Sequence, residues 1–432
     1  MSAGTFKITE HTVPACHIRE YPGSTAKSQE EALSLHVKQY TPLDQHGPVP
    51  SDAVTVIAAH ACGFPKELYE PLWDEIHHRL KRKGLHIRSI WIADAANMGM
   101  SGVLNEDKIS NEYSWNDSAR DLLMLINHFR EQMPRPLVGI GHSFGGNILT
   151  NLALMHPRLL TTVVLLDPVI QTAGADRGIG TDPPGAVNYT LWRPDRWPNR
   201  KAAASAHAKI WQRWDRRCVD RMIKFGFRDL PTALYPEMPG GSDRSDPPVT
   251  LTTTKYQEAT SLYRANFFAA HASDGRIPID RSVHPDLDPV FAFQPVFRPE
   301  SRMIALRLPT LRPPVLWILG EESFLGIDNI RASVQTCGTG VGGSGGVSQG
   351  QVKEIILSGC GHLLPFEAVD QTADHCADWI VQEIGKYGEL ERVWNQHRQS
   401  MSQRDHVVLG ADWFELVKMP KALQRTSRAG KL

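Results

Sequence analysis

The stretch 137–155 constrains the fold of this chain more than any other. A short apolar run, Leu-Val-Gly-Ile, leads into Gly-His-Ser-Phe-Gly, and Ile148, Leu152 and Met155 then recur at helical spacing. A strand, a glycine-flanked serine and a helix in that order are typical of a sharp turn that lifts a serine hydroxyl clear of a sheet. The glycines let the strand and the helix pass closely, and the helix N-terminus can stabilise a developing oxyanion. We therefore predict that Ser143 is a nucleophile.

Strands and helices alternate on both sides of this turn. Apolar-leaning segments predict a hairpin-like start at 6–13 and 33–40, and later runs of small and branched apolar residues predict buried strands at 53–59, 87–92, 162–166, 315–319 and 352–357. Helical stripes separate most of these strands, so the expected fold is α/β, with a mostly parallel sheet flanked by helices. The alternation stops between about residue 172 and residue 310. The expected domains are a core in two parts, 1–172 and 310–388, an inserted cap, 173–309, and a C-terminal extension, 389–432.

Further landmarks follow the strands in a fixed order. His60-Ala61-Cys62-Gly63 follows the strand at 53–59, Asp167 ends the strand at 162–166, and Gly359-Cys360-Gly361-His362 precedes the last apolar helix. This order resembles the α/β-hydrolase fold family. Four further pieces of the sequence make the resemblance closer: 66–71, 105–108, 136–147 and 342–347. They resemble fungal hydrolases of secondary-metabolite and toxin pathways, including the peroxisomal acyl-CoA hydrolase of mycophenolic acid biosynthesis.

The resemblance implies a serine acyl hydrolase. Its reacting residues would be Ser143, which attacks an acyl carbonyl, His362, which carries the proton, and Asp167, which fixes the imidazole tautomer. The backbone N–H groups of Cys62 and Phe144 are the expected oxyanion donors. A serine nucleophile argues against the epoxide and haloalkane hydrolases of the same fold, because they need a carboxylate at that position.

Two positions compete for the acid. Asp167 lies in the chain order serine, acid, histidine, and a proline turns the chain directly after it. Glu321, with Glu322 next to it, follows the strand at 315–319, where many hydrolases of this fold place their acid. We favour Asp167, since the resembling fungal hydrolases use the earlier position.

Composition excludes several classes of protein. Forty-seven basic and forty-seven acidic residues cancel, so nothing global points to nucleic acid or an anionic membrane. No apolar run is long enough to span a membrane, and the N-terminal residues lack the apolar core of a secretory signal. The six cysteines show no metal-type spacing, and a chain of this length needs no disulfide framework, so a reducing compartment is favoured over secretion. The Gly-x-Gly-x-x-Gly segment at 338–343 has no strand before it, so we interpret it as a flexible loop rather than a dinucleotide site. We expect neither a metal nor a cofactor.

The predicted cap carries a basic surface within a neutral protein. Between Leu191 and Arg228, eleven Lys and Arg residues stand against three Asp residues, with four tryptophans interleaved. Arg213 and Arg217 could therefore meet the phosphates of coenzyme A while an aromatic ring stacks on its adenine. The alternative is a solvated helix face balanced by acids elsewhere. We predict acyl-CoA hydrolysis that releases a free acid. Two alternatives stay open: a carboxylester hydrolase or lipase, and an acyltransferase or cyclase. A non-enzymatic binding protein is disfavoured, because the residues expected to react are all present.

The last three residues suggest a location. Gly430-Lys431-Leu432 differs from the peroxisomal signal Ser-Lys-Leu only in its first residue. We predict that this tripeptide binds the peroxisomal import receptor and that the protein lies in the peroxisomal matrix. The sequence leaves a homodimer open.

Overall fold

A large sheet lies at the centre of the protein. The computed structural model describes residues 2–45, 47–172, 185–237, 245–267, 279–292 and 294–420. The strands in these residues are β1 (Phe6–Pro14), β2 (Ser34–Pro42), β3 (Val54–Ala59), β4 (Ile87–Ala93), β5 (Leu137–His142), β6 (Thr162–Leu166), β7 (Arg196–Trp197), β8 (Phe227–Asp229), β9 (Val249–Leu251), β10 (Arg264–Ala265), β11 (Val296–Phe297), β12 (Val315–Gly320) and β13 (Val352–Leu357).

The central sheet has the strand order β1-β2-β4-β3-β5-β6-β12-β13. β2 is antiparallel to both β1 and β4, and all the other neighbours run parallel. The mostly parallel sheet and its hairpin-like start, both predicted from the sequence, are therefore confirmed. Because the carboxyl ends of parallel strands meet at one edge, the residues that follow β3, β5, β6 and β13 come together there.

Helices cover both faces of the sheet. The helices in the described residues are α1 (Ser2–Thr5), α2 (Glu70–Arg82), α3 (Gly99–Leu104), α4 (Trp115–His128), α5 (Phe144–Met155), α6 (Ala186–Trp192), α7 (Arg200–His207), α8 (Arg216–Phe225), α9 (Lys255–Leu262), α10 (Pro299–Arg307), α11 (Ile327–Thr336), α12 (Leu364–Glu367), α13 (Val369–Ser400) and α14 (Ala411–Leu416). Short 3₁₀ helices lie at Pro22–Ser24, Lys66–Tyr69, Pro289–Phe291, Leu308–Thr310 and Val347–Gln349.

Strand β3 presents apolar side chains to both faces of the central sheet. Val56 and Ala58 belong to the cluster that packs with α2 and α13, whereas Ile57 and Ala59 belong to the cluster that packs with α4 and α5. Since side chains point alternately to the two faces of a strand, an unbroken apolar run is buried on both. This burial holds the carboxyl edge of the sheet in place beneath the predicted site.

The chain between β6 and β12 holds the predicted cap. Its described part contains α6 to α9 and two small antiparallel sheets, β7-β9-β8 and β10-β11. Trp211, Trp214 and Cys218 join the same apolar cluster as α2 and α13. Helix α10 also lies within the predicted cap, but its Ile304 and Ala305 pack in the cluster of α4 and α5. The division into core and cap domains stays a prediction.

The glycine-rich segment 338–343 follows a helix, α11, rather than a strand. Gly338 N–H donates to Leu308 O at 2.9 Å, and Gly340 N–H donates to Pro309 O at 2.7 Å. The segment therefore lies against the 3₁₀ turn that precedes β12.

The described residues up to 384 and those from 385 to 420 belong to two compact units. The second unit contains the C-terminal part of α13 and the short helix α14, on which Trp413, Phe414 and Leu416 are exposed. In the parts of the chain described above, no helix combines the length and the apolar character needed to cross a bilayer.

Candidate active site

Ser143 lies on the turn between β5 and α5. Its backbone is strained, with φ 55° and ψ −117°. A Cβ atom on Gly141 would lie 2.5 Å from the carbonyl oxygen of Gly145, and one on Gly146 would lie 2.6 Å from Pro168 Cβ. Larger residues at these positions would push the strand, the helix and the neighbouring loop apart. The glycines therefore let the serine occupy the carboxyl edge of the sheet.

Ser143, His362 and Asp167 form one continuous line of hydrogen bonds. Ser143 Oγ lies 2.8 Å from His362 Nε2, and His362 Nδ1 lies 2.5 Å from Asp167 Oδ2. Because a carboxylate can only accept, Nδ1 donates to Asp167 and Nε2 is left to accept from the serine hydroxyl. The Asp167 side chain is fully buried, whereas that of His362 is 11% exposed, so of these two side chains only the imidazole can be reached from outside.

Asp167 is held by the neighbouring strand β12 and the loop that follows it. Its N–H donates to Ile318 O at 2.8 Å, and its Oδ1 accepts from Gly320 N–H at 3.2 Å. Ser323 Oγ donates to Oδ2 at 2.5 Å, which is the oxygen that also faces His362. Sequence reasoning missed Ser323, because nothing in the local pattern links a serine after β12 to an aspartate after β6.

Glu321 and Glu322 occupy other positions on this loop. Glu321 Oε2 accepts from Gly359 N–H at 2.8 Å, and Glu322 Oε2 lies 2.8 Å from Arg213 Nη1. In the part of the chain that the structure describes, neither carboxylate is hydrogen-bonded to His362. The geometry therefore supports Asp167 over both competitors.

Phe144 and Cys62 carry the two amides that are expected to stabilise the oxyanion. Phe144 is the first residue of α5, so its N–H has no acceptor within the helix. The carbonyl of Ala61, which shares a peptide group with the Cys62 N–H, lies 2.8 Å from His60 Nδ1. Since the N–H and C=O of a trans peptide point in opposite directions, this contact fixes the direction of the Cys62 N–H.

His60 can hold that carbonyl only in one tautomer. Its Nε2 lies 2.9 Å from the amide nitrogen of Ala95, which can only donate, so the ring proton is on Nδ1 and is donated to Ala61 O. Burial lowers the pKa of His60 below its ordinary value, which keeps the ring neutral.

Part of the predicted cap lies directly on the loop after β3. Glu258, on α9, accepts from Thr190 Oγ1 at 2.8 Å and pairs with Arg193. A Cβ atom on Gly63 would lie 2.7 Å from Glu258 Cδ, so the carboxyl group fills the place of a side chain at that position. Cys62 Sγ donates to Glu258 O at 3.8 Å, and burial raises the pKa of its thiol.

The two arginines predicted to meet coenzyme A phosphates are engaged within the chain. Arg213 lies between Glu322 and Glu367, at 2.8 and 3.3 Å, and also donates to Gly359 O on the loop that carries His362. Arg217 lies 2.8 Å from Asp215 and 2.6 Å from Glu75. Their contacts therefore favour the alternative in which acids of the same protein balance the basic surface.

A pocket of about 500 Å³ opens in the cap between α6 and α7. Its aromatic and charged lining includes Tyr189, Trp192, Trp197, His207 and Arg193. Trp192 is 87% exposed, so one wall of this pocket is open to solvent. Within the described residues, no group of three or more His, Cys, Asp or Glu side chains is placed to hold a metal ion. All six cysteines are free.

Two further buried side chains escaped the sequence analysis. Tyr69, at the end of the 3₁₀ helix Lys66–Tyr69, and His142, at the end of β5, lie behind the reacting residues. His142 is the first of the two variable residues in the Gly-x-Ser-x-Gly motif, and Tyr69 lies in the piece 66–71 that resembles fungal hydrolases. Neither signal assigns a role to the side chain.

Comparison with known proteins extends over the whole chain. The chain is 52% identical over 440 residues to the type I acyl-CoA thioesterase mpaH of Penicillium roqueforti, strain FM164, and the alignment covers 100% of both proteins. The type I acyl-CoA thioesterase mpaH' of Penicillium brevicompactum matches with the same identity and the same coverage.

A solved structure with a similar fold is the peroxisomal α/β-hydrolase Lpx1 of Saccharomyces cerevisiae. Its TM-score is 0.63 at 16% identity, over 92% of this chain and 99% of that chain. The family model described as the α/β hydrolase family matches residues 56–375, which is more than half of the chain. This chain belongs to the α/β hydrolase family.

Proposed function

We propose that this protein is a serine-dependent acyl-CoA thioesterase. The observation that carries this substrate class is the full-length identity of 52% to proteins named type I acyl-CoA thioesterases. The line from Ser143 through His362 to Asp167 supports the reaction type, because it supplies a nucleophile, a base and an acid that orients the base.

The proposed reaction has two acyl-transfer steps. Ser143 Oγ attacks the thioester carbonyl while His362 Nε2 takes the serine proton, and the N–H groups of Phe144 and Cys62 stabilise the oxyanion. The C–S bond then breaks, and His362 passes the proton to the thiolate of coenzyme A. Water attacks the acyl-serine ester with His362 again as the base. The ester bond breaks, the free acid leaves, and Ser143 regains its proton.

The serine mechanism is tested by comparing the protein with Ser143→Ala. Wild type should react with a fluorophosphonate probe and release free thiol from members of an acyl-CoA panel, whereas Ser143→Ala should do neither. Ser333→Ala is a matched control, because Ser333 is also buried and its Oγ donates to Ile170 O at 3.0 Å rather than to a reacting residue. Full thiol release by Ser143→Ala would overturn the proposal. If wild type hydrolyses simple esters but no acyl-CoA, a carboxylester hydrolase would be favoured.

We further propose import into peroxisomes through Gly430-Lys431-Leu432. These residues lie outside the described part of the chain, so the proposal is supported by the sequence of the tripeptide. A fluorescent protein fused at the N-terminus should accumulate in peroxisomes, and deletion of Leu432 should leave it in the cytosol. A fusion that stays cytosolic with its C-terminus free would contradict import. The homodimer also stays a prediction, which size-exclusion chromatography with light scattering tests.

A further inference from the structure

A buried chain of hydrogen bonds runs behind the reacting residues. Ala61 N lies 2.8 Å from the hydroxyl oxygen of Tyr69, and this oxygen lies 2.7 Å from His142 Nδ1. His142 Nε2 lies 2.9 Å from the backbone oxygen of His362. Tyr69 is 2% exposed and His142 is not exposed at all, so water competes for none of these bonds.

The direction of each bond in this chain is determined. The amide of Ala61 can only donate and the carbonyl of His362 can only accept, so Tyr69 accepts at one end and His142 Nε2 donates at the other. An imidazole that is neutral with its proton on Nε2 presents Nδ1 as an acceptor, which the Tyr69 hydroxyl fills. Burial and the nearby His362 ring hold the pKa of His142 well below its ordinary value, in agreement with a neutral ring.

This chain of hydrogen bonds links the three segments that make up the proposed site. Ala61 precedes the expected oxyanion donor Cys62, His142 precedes Ser143, and His362 supplies the base. Phe366 packs against both Tyr69 and His142, with ring centroids 5.2 and 5.5 Å apart. The two side chains are therefore enclosed by apolar surface, and an unpaired polar atom there would be costly.

We propose that Tyr69 and His142 are positioning residues, which hold the oxyanion loop and the His362 loop in register with Ser143. This inference rests on the proposed serine mechanism. His60 orients the Ala61–Cys62 peptide through its carbonyl, and Tyr69 anchors the preceding amide of Ala61. Loss of the Tyr69 hydroxyl would release one end of this loop and leave His142 Nδ1 without its donor.

The neutrality of His142 is part of the same arrangement. Its ring centroid lies 5.4 Å from that of His362, which becomes positively charged when it takes the serine proton. A second positive charge at that distance would disfavour the imidazolium. The bond to Tyr69 therefore holds His142 in the tautomer that supports the His362 backbone without adding charge.

The experiment compares Tyr69→Phe, His142→Leu and His142→Gln with wild type. The readouts are the second-order rate of labelling by a fluorophosphonate, and kcat and KM on the acyl-CoA that wild type hydrolyses fastest. Tyr69→Phe and His142→Leu should lower the labelling rate and kcat by about 10- to 100-fold with little change in KM. His142→Gln keeps an N–H donor and a carbonyl acceptor, so it should recover most of the loss in His142→Leu.

The matched control is Tyr40→Phe. Tyr40 is also buried, and its hydroxyl donates to Glu70 Oε1 at 3.1 Å, on a strand remote from Ser143 in the sheet order. The Tyr40→Phe variant should lose about as much thermal stability as Tyr69→Phe, while its labelling rate stays at the wild-type value. Equal labelling rates in Tyr40→Phe and Tyr69→Phe, or no difference between His142→Gln and His142→Leu, would overturn the positioning role. If wild type itself is not labelled, the serine mechanism fails instead.

Discussion

Ser323 Oγ and His362 Nδ1 contact the same oxygen of Asp167, Oδ2, each at 2.5 Å. The second oxygen, Oδ1, accepts from Gly320 N–H. The carboxylate is therefore held from two sides by the β12 segment while it faces the imidazole. This arrangement holds the Asp167 carboxylate rigidly. Because Ser323 supports the carboxylate and is not itself one of the reacting residues, variants at the two positions can separate their contributions to kcat.

Asp167→Asn should lower kcat by about two to four orders of magnitude, because an amide at this position no longer enforces the imidazole tautomer. Ser323→Ala should cost about tenfold, since it removes one donor and leaves the carboxylate in place. Thiol release from acyl-CoA measures both effects. Glu321→Gln is the control and should retain near-wild-type rates; collapse of this variant with an active Asp167→Asn would reassign the acid to Glu321.

Replacement of Arg213 distinguishes a structural contact from phosphate binding. Arg213→Gln removes the tie between the cap and Gly359 on the His362 loop, so we expect hydrolysis of acyl-CoA and of an uncharged ester to fall by similar factors. Arg216→Gln is the control, because Arg216 is 81% exposed and pairs with Asp220 on its own helix. A KM increase confined to acyl-CoA, and smaller at high salt because salt screens the charges, would support the phosphate contact instead.

Two glycines with the same backbone angle test the contact between the cap and the oxyanion loop. Gly63 and Gly84 both have φ +79°, but a Cβ atom at Gly84 meets nothing within 4 Å, whereas one at Gly63 meets the Glu258 carboxyl group. Gly84→Ala should therefore lose only the conformational term, about 1–2 kcal/mol of the free energy of unfolding. Gly63→Ala should lose more and should also lower kcat by about tenfold or more. Equal unfolding free energies and rates in the two variants would argue against a close contact with Glu258.

Acid should destabilise the protein through its buried histidines. The pKa values of His60 and His142 are lowered by burial, so the unfolded chain binds protons below about pH 6.5 that the native ring does not. The stability contributed by each neutral ring is present above that pH and is lost as the pH falls below it, by up to about 1.4 kcal/mol per pH unit. Chemical unfolding between about pH 7.5 and about pH 5 measures this slope. His142→Gln should flatten this slope, and a slope as steep as that of wild type would contradict the prediction.

Local patterns in the sequence were sufficient to predict the turn at Ser143 and the strands around it. The turn needs glycine where backbones approach, and the buried strands need unbroken apolar runs; both requirements are written in consecutive residues. Asp167 and Glu321 both follow predicted strands, so the preference for Asp167 depends on the resemblance to fungal hydrolases that use the earlier position. The support of Asp167 by Ser323 could not be predicted in the same way, since the two residues meet only because β6 and β12 are neighbours in the sheet.

The basic surface of the cap illustrates the opposite case. Counting charges between Leu191 and Arg228 correctly found an excess of cations, but the partners of Arg217 and Arg213 include Glu75 and Glu322, which are distant in the chain. Tyr69 and His142 escaped prediction for a similar reason, because their roles depend on which buried polar atoms the fold brings within hydrogen-bonding distance.

The place of Asp167 at the end of β6 has a consequence for how this fold can diversify. β5 and β6 pair directly, with His142 opposite Leu166, so the spacing between the serine and the acid is set before the chain enters the cap. His362 is brought back afterwards, through β12 and β13, and β12 also brings the groups that hold the Asp167 carboxylate. A change in the length or sequence of the predicted cap would therefore leave the pairing of the two strands that carry the nucleophile and the acid as it is. The loops that carry Cys62 and His362 contact the predicted cap near Gly63 and Gly359, so their geometry would change with it.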